Sequence, residues 1–194
     1  AAGARRLILA SSCAVYGDEP TMPKTETSPT APASPYAESK LAGEKLCGQA
    51  PLPTVSLRFF NVYGPRQDPR GPYAAAVPRF LEAARAGTPL TIFGDGHQTR
   101  DFVYVEDVTA ALEHAAISPT PSGVYNVASG QSVSVLRLAE LILALTGLRS
   151  EIRHAPARPG DILHSSASIQ KIRATGWNPS FDLSAGLQKI LSTR

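Results

Sequence analysis

The chain has 194 residues, of which 43% are hydrophobic and 18% charged, with a formal net charge of +3. This composition fits a soluble globular protein that is long enough for one domain with a real core. No apolar run approaches the ~20 residues of a membrane span, and the scattered Arg and Lys residues disfavour nucleic acid binding.

Strands and helices alternate along the chain. Short apolar or β-branched runs predict strands over residues 7–10, 54–60, 90–93, 102–105, 124–127 and 152–154. Apolar periodicity and capping residues predict helices over residues 36–47, 74–86, 106–116, 134–147, 168–174 and 183–191. Polar segments rich in Gly and Pro predict loops over 17–35, 61–73 and 155–161, and a turn over 94–100. The alternation predicts βα units and a mainly parallel sheet.

The cysteines and histidines give no sign of a metal site. Cys13 and Cys47 do not have the spacing of metal ligands, and none of the four histidines lies in an HxxxH or Cys-rich context. We therefore predict that the protein binds no metal and works in a reducing, cytoplasmic setting.

Tyr36 and Lys40 form the chemically most informative pair in the chain. They are four residues apart in a stretch of helix-favouring residues, so both side chains point into the same space. A lysine cation beside a phenol favours the phenolate, which can take a proton from an alcohol and return it later. The matching hydride acceptor must be a cofactor such as a nicotinamide.

A second signal precedes this helix. The predicted strand over residues 7–10 leads directly into the hydroxyl residues Ser11 and Ser12. Ligands of open α/β folds bind at the carboxyl ends of parallel strands. We expect Ser12 to share a substrate hydroxyl with Tyr36.

Four motifs now stand in order: SSCAVYG at 11–17, SPYAESK at 34–40, RFFNVYGPR at 58–66, and GDG at 94–96 leading to RDFVYV at 100–105. Together they resemble the extended short-chain dehydrogenase/reductase superfamily, in its nucleotide-sugar epimerase/dehydratase branch. The resemblance covers nearly the whole chain.

The resemblance implies an α/β fold with a Rossmann-like doubly wound parallel sheet and a smaller α/β lobe that binds the substrate. Residues 1–73 would be the C-terminal half of an NAD-binding domain with the catalytic helix. Residues 74–194 would be mainly the substrate lobe, with elements returning to the main sheet. No Gly-rich dinucleotide turn follows a predicted strand. We therefore expect that the first half of the dinucleotide domain is missing, and that this chain alone binds NAD poorly and lacks activity.

The resemblance also implies roles for individual residues. Ser12, Tyr36 and Lys40 would be catalytic and contact NAD, and Phe60 would line the nicotinamide, although an aromatic at a strand end is also ordinary core. The implied substrate-binding residues, besides Ser12 and Tyr36, are Asn61, Ala75, Ala76, Ile92, Phe93, Arg100, Arg158, Asp161 and Ser165. Within this set the two arginines and the asparagine would hold the diphosphate, because a planar guanidinium grips phosphate oxygens bidentately.

The reaction type follows from what comes after Ser12. Dehydratases of the family carry an acid just after the catalytic Ser or Thr, whereas this chain has Cys13 and Ala14, and Cys13 is interpreted as a small buried residue. This favours NAD-dependent epimerisation of a UDP-sugar at C4 through a 4-keto intermediate. The small residue Ser165 leaves room for an N-acetyl group, as in the UDP-N-acetylglucosamine 4-epimerases that the chain resembles most. The expected substrates are UDP-Glc and UDP-Gal, together with UDP-GlcNAc and UDP-GalNAc.

Several alternatives remain open. The enzyme could be a UDP-glucuronate epimerase or another nucleotide-sugar reductase or dehydratase on the same scaffold. It could also be a non-catalytic relative that senses NAD(P), although such relatives typically lose the Tyr or the Lys. A basic surface-binding module is a third reading. The resemblance further implies a homodimer built through the helix that bears Tyr36 and a neighbouring helix. From the scattered charges and the short apolar runs we expect neither nucleic acid nor membrane as a partner.

Overall fold

The computed structural model describes residues 3–70, 75–158, 160 and 162–192 of the chain. The strands are β1 Leu7–Ser12, β2 Thr54–Phe59, β3 Asn61–Tyr63, β4 Leu90–Phe93, β5 Thr99–Tyr104, β6 Gly123–Val127, β7 Ser132–Ser134 and β8 Ile152–Ala155. The helices are α1 Pro35–Gly48, α2 Ala76–Ala86, α3 Val105–Ile117, α4 Val135–Thr146, α5 Gln170–Arg173 and α6 Leu183–Ser192. A short 3-10 helix, Cys13–Tyr16, follows β1.

The main sheet has the strand order β1-β2-β6, and both of its pairings are parallel, as the alternation of strands and helices predicts. Ser12 at the end of β1 lies opposite Phe59 at the end of β2. Successive side chains of a strand point to opposite faces. Arg58 therefore faces α1, where it reaches Glu44, while Val55 and Leu57 belong to a core shared with α3. The carboxyl ends of the strands form one edge of the sheet.

A second group of strands lies beyond the main sheet. Here β3 pairs parallel with β5, β5 pairs antiparallel with β7, and β4 pairs parallel with β8. Their apolar side chains join α2, α4 and α6 in a separate core, whose largest fully buried members include Tyr63, Tyr104, Leu90, Leu138 and Leu187. The division of the chain after residue 73 stays a proposal, because residues 71–74 lie outside the described ranges.

Two local expectations for the second group are wrong, and one strand was not predicted. The stretch predicted as a loop from residue 61 begins with β3, the predicted turn over 94–100 gives way to β5 from Thr99, and β7 has no counterpart in the prediction. Pairing forms these strands: Asn61 of β3 pairs with Phe102 of β5, and Thr99 at the start of β5 pairs with Ser134 of β7. Segments of three residues, such as β3 and β7, carry too little pattern of their own to be recognised.

Helix ends follow their local signals more closely. Ser134 caps α4 by accepting a hydrogen bond from Arg137 N at 3.1 Å, and Gly147 ends it in the left-handed conformation at φ 66°. Gly87 ends α2 in the same way, also at φ 66°. These ends confirm the predicted stops. The first predicted residue of α2, residue 74, lies outside the described ranges, and α5 is shorter than predicted.

The loop between the 3-10 helix and α1 is tied to the C-terminal part of the chain. Lys24 is 3% exposed, and its backbone exchanges two hydrogen bonds with Ser166 and Ser168, each 2.8 Å long. Its ammonium contacts the Glu19 carboxylate at 2.5 Å. The hydrogen bonds from Lys24 and Thr21 lower the pKa of Glu19 from 4.5 to about 2.

We expect this ion pair to shape the acid stability of the protein. Because the pKa of Glu19 is lower in the folded state, its contribution is present above about pH 4.5 and is lost as the pH falls towards 2. Removing the cation by Lys24→Met should flatten this part of the stability curve, measured by urea unfolding from neutral pH to about pH 2. Lys45→Met, at an exposed position of α1, is the control. Parallel curves for wild type and Lys24→Met would contradict the assignment.

Candidate functional site

Helix α1 presents Tyr36 and Lys40 at the carboxyl edge of the main sheet. Ser34 caps the helix by accepting a hydrogen bond from Ala37 N at 3.2 Å, and Pro35 occupies the first helical position. The Lys40 ammonium lies 5.5 Å from the centre of the Tyr36 ring and donates to the Ala10 carbonyl at 2.9 Å. Tyr36 is 55% exposed, so its phenol is open to a ligand.

Ser12 ends β1, two residues after the carbonyl that Lys40 contacts. Its hydroxyl accepts a hydrogen bond from Ala14 N at 3.2 Å, which starts the 3-10 helix and turns the chain away from the sheet. The structure therefore brings Tyr36, Lys40 and the end of β1 to the same edge. Cys13, next in the chain, is partly buried, and burial together with the carboxylate of Asp101 raises the pKa of its thiol to about 11. The thiol stays protonated and is a poor nucleophile.

A cavity of about 310 Å³ lies in the second group of elements, where β3, β4, β5 and α2 contribute to its wall. Asn61, which lines it, lies two residues beyond Phe59, the β2 partner of Ser12. Seven of the residues assigned to substrate binding line the cavity: Asn61, Ala75, Ala76, Ile92, Phe93, Arg100 and Arg158. The structure thus gathers into one space residues that are almost one hundred positions apart in the chain.

Three arginines, Arg79, Arg100 and Arg158, give the cavity its positive charge, and two of them carry the predicted role. The guanidinium of Arg158 lies 3.8 Å above the centre of the Phe93 ring, a stacking and cation–π contact that orients its hydrogen-bond donors. Arg100 donates to the Thr99 carbonyl at 2.9 Å. Both guanidinium groups line the same cavity, and their planar forks suit a diphosphate.

The remaining predicted residues lie elsewhere. Phe60 is 3% exposed and packs in the core shared with α3, where its ring centre lies 6.3 Å from that of Tyr16. The structure therefore places Phe60 among core residues rather than at the cavity. Ser165 is hydrogen-bonded to both β5 and β7. Its N–H donates to the Thr99 carbonyl at 3.1 Å, and its carbonyl accepts from the Ser132 hydroxyl at 3.1 Å. Asp161 lies outside the described residues.

Arg79 and Thr91 line the cavity but were not singled out from the sequence, and neither were Gln98 and Asp101. Gln98 lines the cavity and donates from its amide to the Phe93 carbonyl at 2.7 Å. Asp101 is fully buried; one carboxylate oxygen accepts from Ser129 N and Oγ at 2.8 and 2.7 Å, and the other from Gly130 N at 3.1 Å. Burial raises the pKa of Asp101 above its usual value, and these donors act in the opposite direction. Gln98 and Asp101 stand within the 94–105 stretch that carries a motif, which is the signal that could have found them.

Two further findings concern the part of the chain that the structure describes. None of its helices is long and apolar enough to cross a bilayer. Among the same residues, no group of three or more His, Cys, Asp or Glu side chains is arranged to hold a metal ion.

Comparison with known proteins places this geometry in context. A curated UDP-glucose 4-epimerase of Mycolicibacterium smegmatis is 39% identical over 197 aligned positions, which include 98% of this chain and 62% of that protein. The structure of a UDP-N-acetylglucosamine 4-epimerase from Methanobrevibacter ruminantium, in complex with UDP-N-acetylmuramic acid, matches with a TM-score of 0.91 and 39% identity over 96% of this chain and 62% of that one. A Thermus thermophilus UDP-glucose 4-epimerase in complex with NAD matches with a TM-score of 0.85, at the same identity and coverage.

The chain therefore spans about 62% of the length of these relatives. The structural matches confirm the predicted α/β fold with its parallel, Rossmann-like sheet. The family model described as the NAD dependent epimerase/dehydratase family matches residues 1–128, about two thirds of the chain. On the strength of this match and the shared fold, the chain belongs to the NAD dependent epimerase/dehydratase family.

Proposed function

We propose that the protein catalyses the NAD-dependent epimerisation of a UDP-sugar at C4 through a transient 4-keto sugar. The observation that carries the proposal is the cavity that Asn61 and three arginines, Arg79, Arg100 and Arg158, line. A dianionic diphosphate matches that donor set, and it would direct the attached sugar towards Ser12 and Tyr36. The relatives named above, which include UDP-glucose and UDP-N-acetylglucosamine 4-epimerases, support the substrate class.

Lys40, Tyr36 and Ser12 would hold the nicotinamide end of NAD, because an ammonium, a phenol and a hydroxyl can hydrogen-bond to a ribose and a carboxamide. NAD, when bound, supplies the hydride acceptor that protein side chains lack. Lys40 would hold the nicotinamide ribose, and its contact with the Ala10 carbonyl fixes the direction from which it does so.

Tyr36 would act as the base and acid of the reaction. The sugar's C4 hydroxyl gives its proton to the Tyr36 oxygen while the hydrogen on C4 leaves as hydride, which produces the 4-keto sugar. Ser12 would donate a hydrogen bond to the sugar's C4 oxygen, hold it in line and ease its proton transfer. After the sugar has turned over, hydride returns to the opposite face of C4 and Tyr36 returns the proton. No further acid is needed, in keeping with Cys13 and Ala14 after Ser12.

The test of this function is a product assay on the full-length gene product. UDP-GlcNAc, UDP-Glc and UDP-glucuronate are each incubated with the protein and NAD, and the sugars are identified by NMR. The proposal expects UDP-GalNAc and UDP-Gal. Turnover of UDP-glucuronate alone would favour the glucuronate epimerase, a 4-keto-6-deoxy product would favour a dehydratase, and no turnover would favour a non-catalytic relative.

Ser165 should set the choice between plain and N-acetylated sugars. We infer that its small side chain leaves space beside the sugar's 2-substituent, which a tyrosine would fill. Ser165→Tyr should lower the turnover of UDP-GlcNAc by at least about 100-fold and spare UDP-Glc, since steric exclusion acts only on the larger sugar. Steady-state kinetics with both sugars measures the ratio. Ser165→Ala is the control, and an equal loss with both sugars would contradict the assignment.

The assembly and location of the protein stay proposals as well. We infer a homodimer that forms through α1, whose Leu46 side chain is 69% exposed, and a cytoplasmic location. Burial of an exposed leucine in a helix–helix contact is favourable, so sedimentation of the full-length gene product should give twice the mass of one chain.

A further inference from the structure

A buried ion pair joins α1 to the main sheet. Glu44 and Arg58 are 8% and 4% exposed. The Glu44 carboxylate accepts two hydrogen bonds from the Arg58 guanidinium, at 2.9 Å from Nε to Oε1 and at 2.7 Å from Nη2 to Oε2. Ser11 adds a third at 2.5 Å to Oε1. The guanidinium carbon of Arg58 lies over the Tyr16 ring, 4.7 Å from its centre.

Such a pair adds little net stability by itself. Moving two charges out of water costs several kcal/mol each, which their attraction roughly offsets, so apolar residues of similar size often stabilise a protein as well or better. What a bidentate pair supplies is direction, because its hydrogen bonds hold only in one relative orientation of the two groups. Here the groups belong to α1 and to the strands β1 and β2, so the orientation that is fixed is that of the helix on the sheet.

The residues of this contact are closely connected to the site. Tyr36, Lys40 and Glu44 follow one another at intervals of four residues, so they lie on the same side of α1. Ser11 directly precedes Ser12, and the register partner of Ser11 on β2 is Arg58. A rotation of α1 about its axis that moved the Tyr36 phenol away from Ser12 would also break the Glu44 contacts.

We propose that Glu44 and Arg58 are positioning residues, which set the rotation of α1 on the main sheet and thereby hold the Tyr36 phenol in line with Ser12. The proposal rests on the proposed function only for its consequence in catalysis. The rotational role itself concerns the helix and the sheet, and can be measured without turnover. Neither residue lines the cavity that is proposed to bind the nucleotide, so the two roles can be separated.

The decisive variant is the double replacement Glu44→Leu/Arg58→Met, which removes both charges and keeps an apolar contact. We expect a melting temperature close to that of the wild type, because no unpaired charge is left buried. We also expect kcat to fall about 10- to 100-fold, since small misplacements of a reacting group have effects of this size. The KM for the UDP-sugar and the affinity for UDP should stay within about two-fold. The single variant Glu44→Gln should lose both stability and kcat.

Hydrogen exchange of the α1 amides provides the measurement that is independent of activity. With the directional contact removed, these amides should exchange faster in the double variant, although the melting temperature is unchanged. Ile172→Val is the matched control. Ile172 belongs to the same core as Tyr16 but is not part of the Glu44–Arg58 contact, so the change should alter neither kcat nor α1 exchange.

The outcomes separate the two proposals. Faster α1 exchange in the double variant would support the positioning role. If the wild-type protein at the same time turned over no UDP-sugar, the proposed function would be rejected. A double variant with wild-type kcat and wild-type α1 exchange would overturn the positioning role and leave the function in place. A loss of UDP affinity that parallels the loss of kcat would also overturn it, since it would show a general distortion of the site.

Discussion

Replacement of Tyr36 by phenylalanine is expected to lower kcat about 100- to 10,000-fold, the usual range for the loss of a general acid–base group. The change removes one oxygen from a side chain that is 55% exposed, so we expect little effect on stability. Tyr36 is not among the residues that line the nucleotide cavity, so the affinity for UDP should remain within about two-fold. Initial rates on the full-length gene product and calorimetry with UDP measure the two quantities.

The neighbouring surface of the same helix offers a control for this variant. Glu38 lies two residues away in the first turn of α1 and is exposed, and Glu38→Gln should retain wild-type kcat. If Tyr36→Phe kept more than about a tenth of the wild-type rate, another group would have to move the proton, and the acid–base assignment of Tyr36 would be wrong.

The sequence predicted the elements that carry their own local signals. Helix α4 has an apolar stripe, a serine cap at Ser134 and a terminal Gly147, and its described ends agree with those signals. Strand β4 is a short apolar run whose bounds agree with the prediction. Strands β3 and β7 could not be predicted, because three residues show no period and both strands exist through their pairing with β5.

The candidate site likewise combines a local sequence signal with contacts that depend on residues far along the chain. The Tyr36–Lys40 spacing is a local signal, and the ring contact of 5.5 Å agrees with it. The seven predicted residues that line the cavity came from the resemblance, since nothing in an isolated alanine or phenylalanine identifies a ligand contact. The partners of Asp101 and Glu44 could not be foreseen, because burial of an acidic residue depends on donors far along the chain, such as Ser129 and Arg58.

Replacement of Asp101 by asparagine is expected to destabilise the protein by roughly 2–4 kcal/mol, because a neutral amide has fewer acceptors than the buried carboxylate. In the wild type this carboxylate accepts from two groups of Ser129, from Gly130 N and, at 3.4 Å, from Ala167 N. An amide keeps one acceptor oxygen, and its NH₂ group would face backbone donors at the other position. Urea unfolding of wild type and variant gives the difference.

The same replacement should weaken the nucleotide site. The Asp101 carbonyl accepts a hydrogen bond of 3.1 Å from the Asn61 amide, and Arg100 precedes it in β5. A shift of this strand therefore moves two residues that line the cavity, so the affinity for UDP should fall by about ten-fold or more. Asp95→Asn is the matched control, because Asp95 is an exposed aspartate that accepts a single backbone hydrogen bond, from His97 N at 2.9 Å. An Asp101→Asn protein with wild-type stability and UDP affinity would show that the buried carboxylate does not organise the cavity wall.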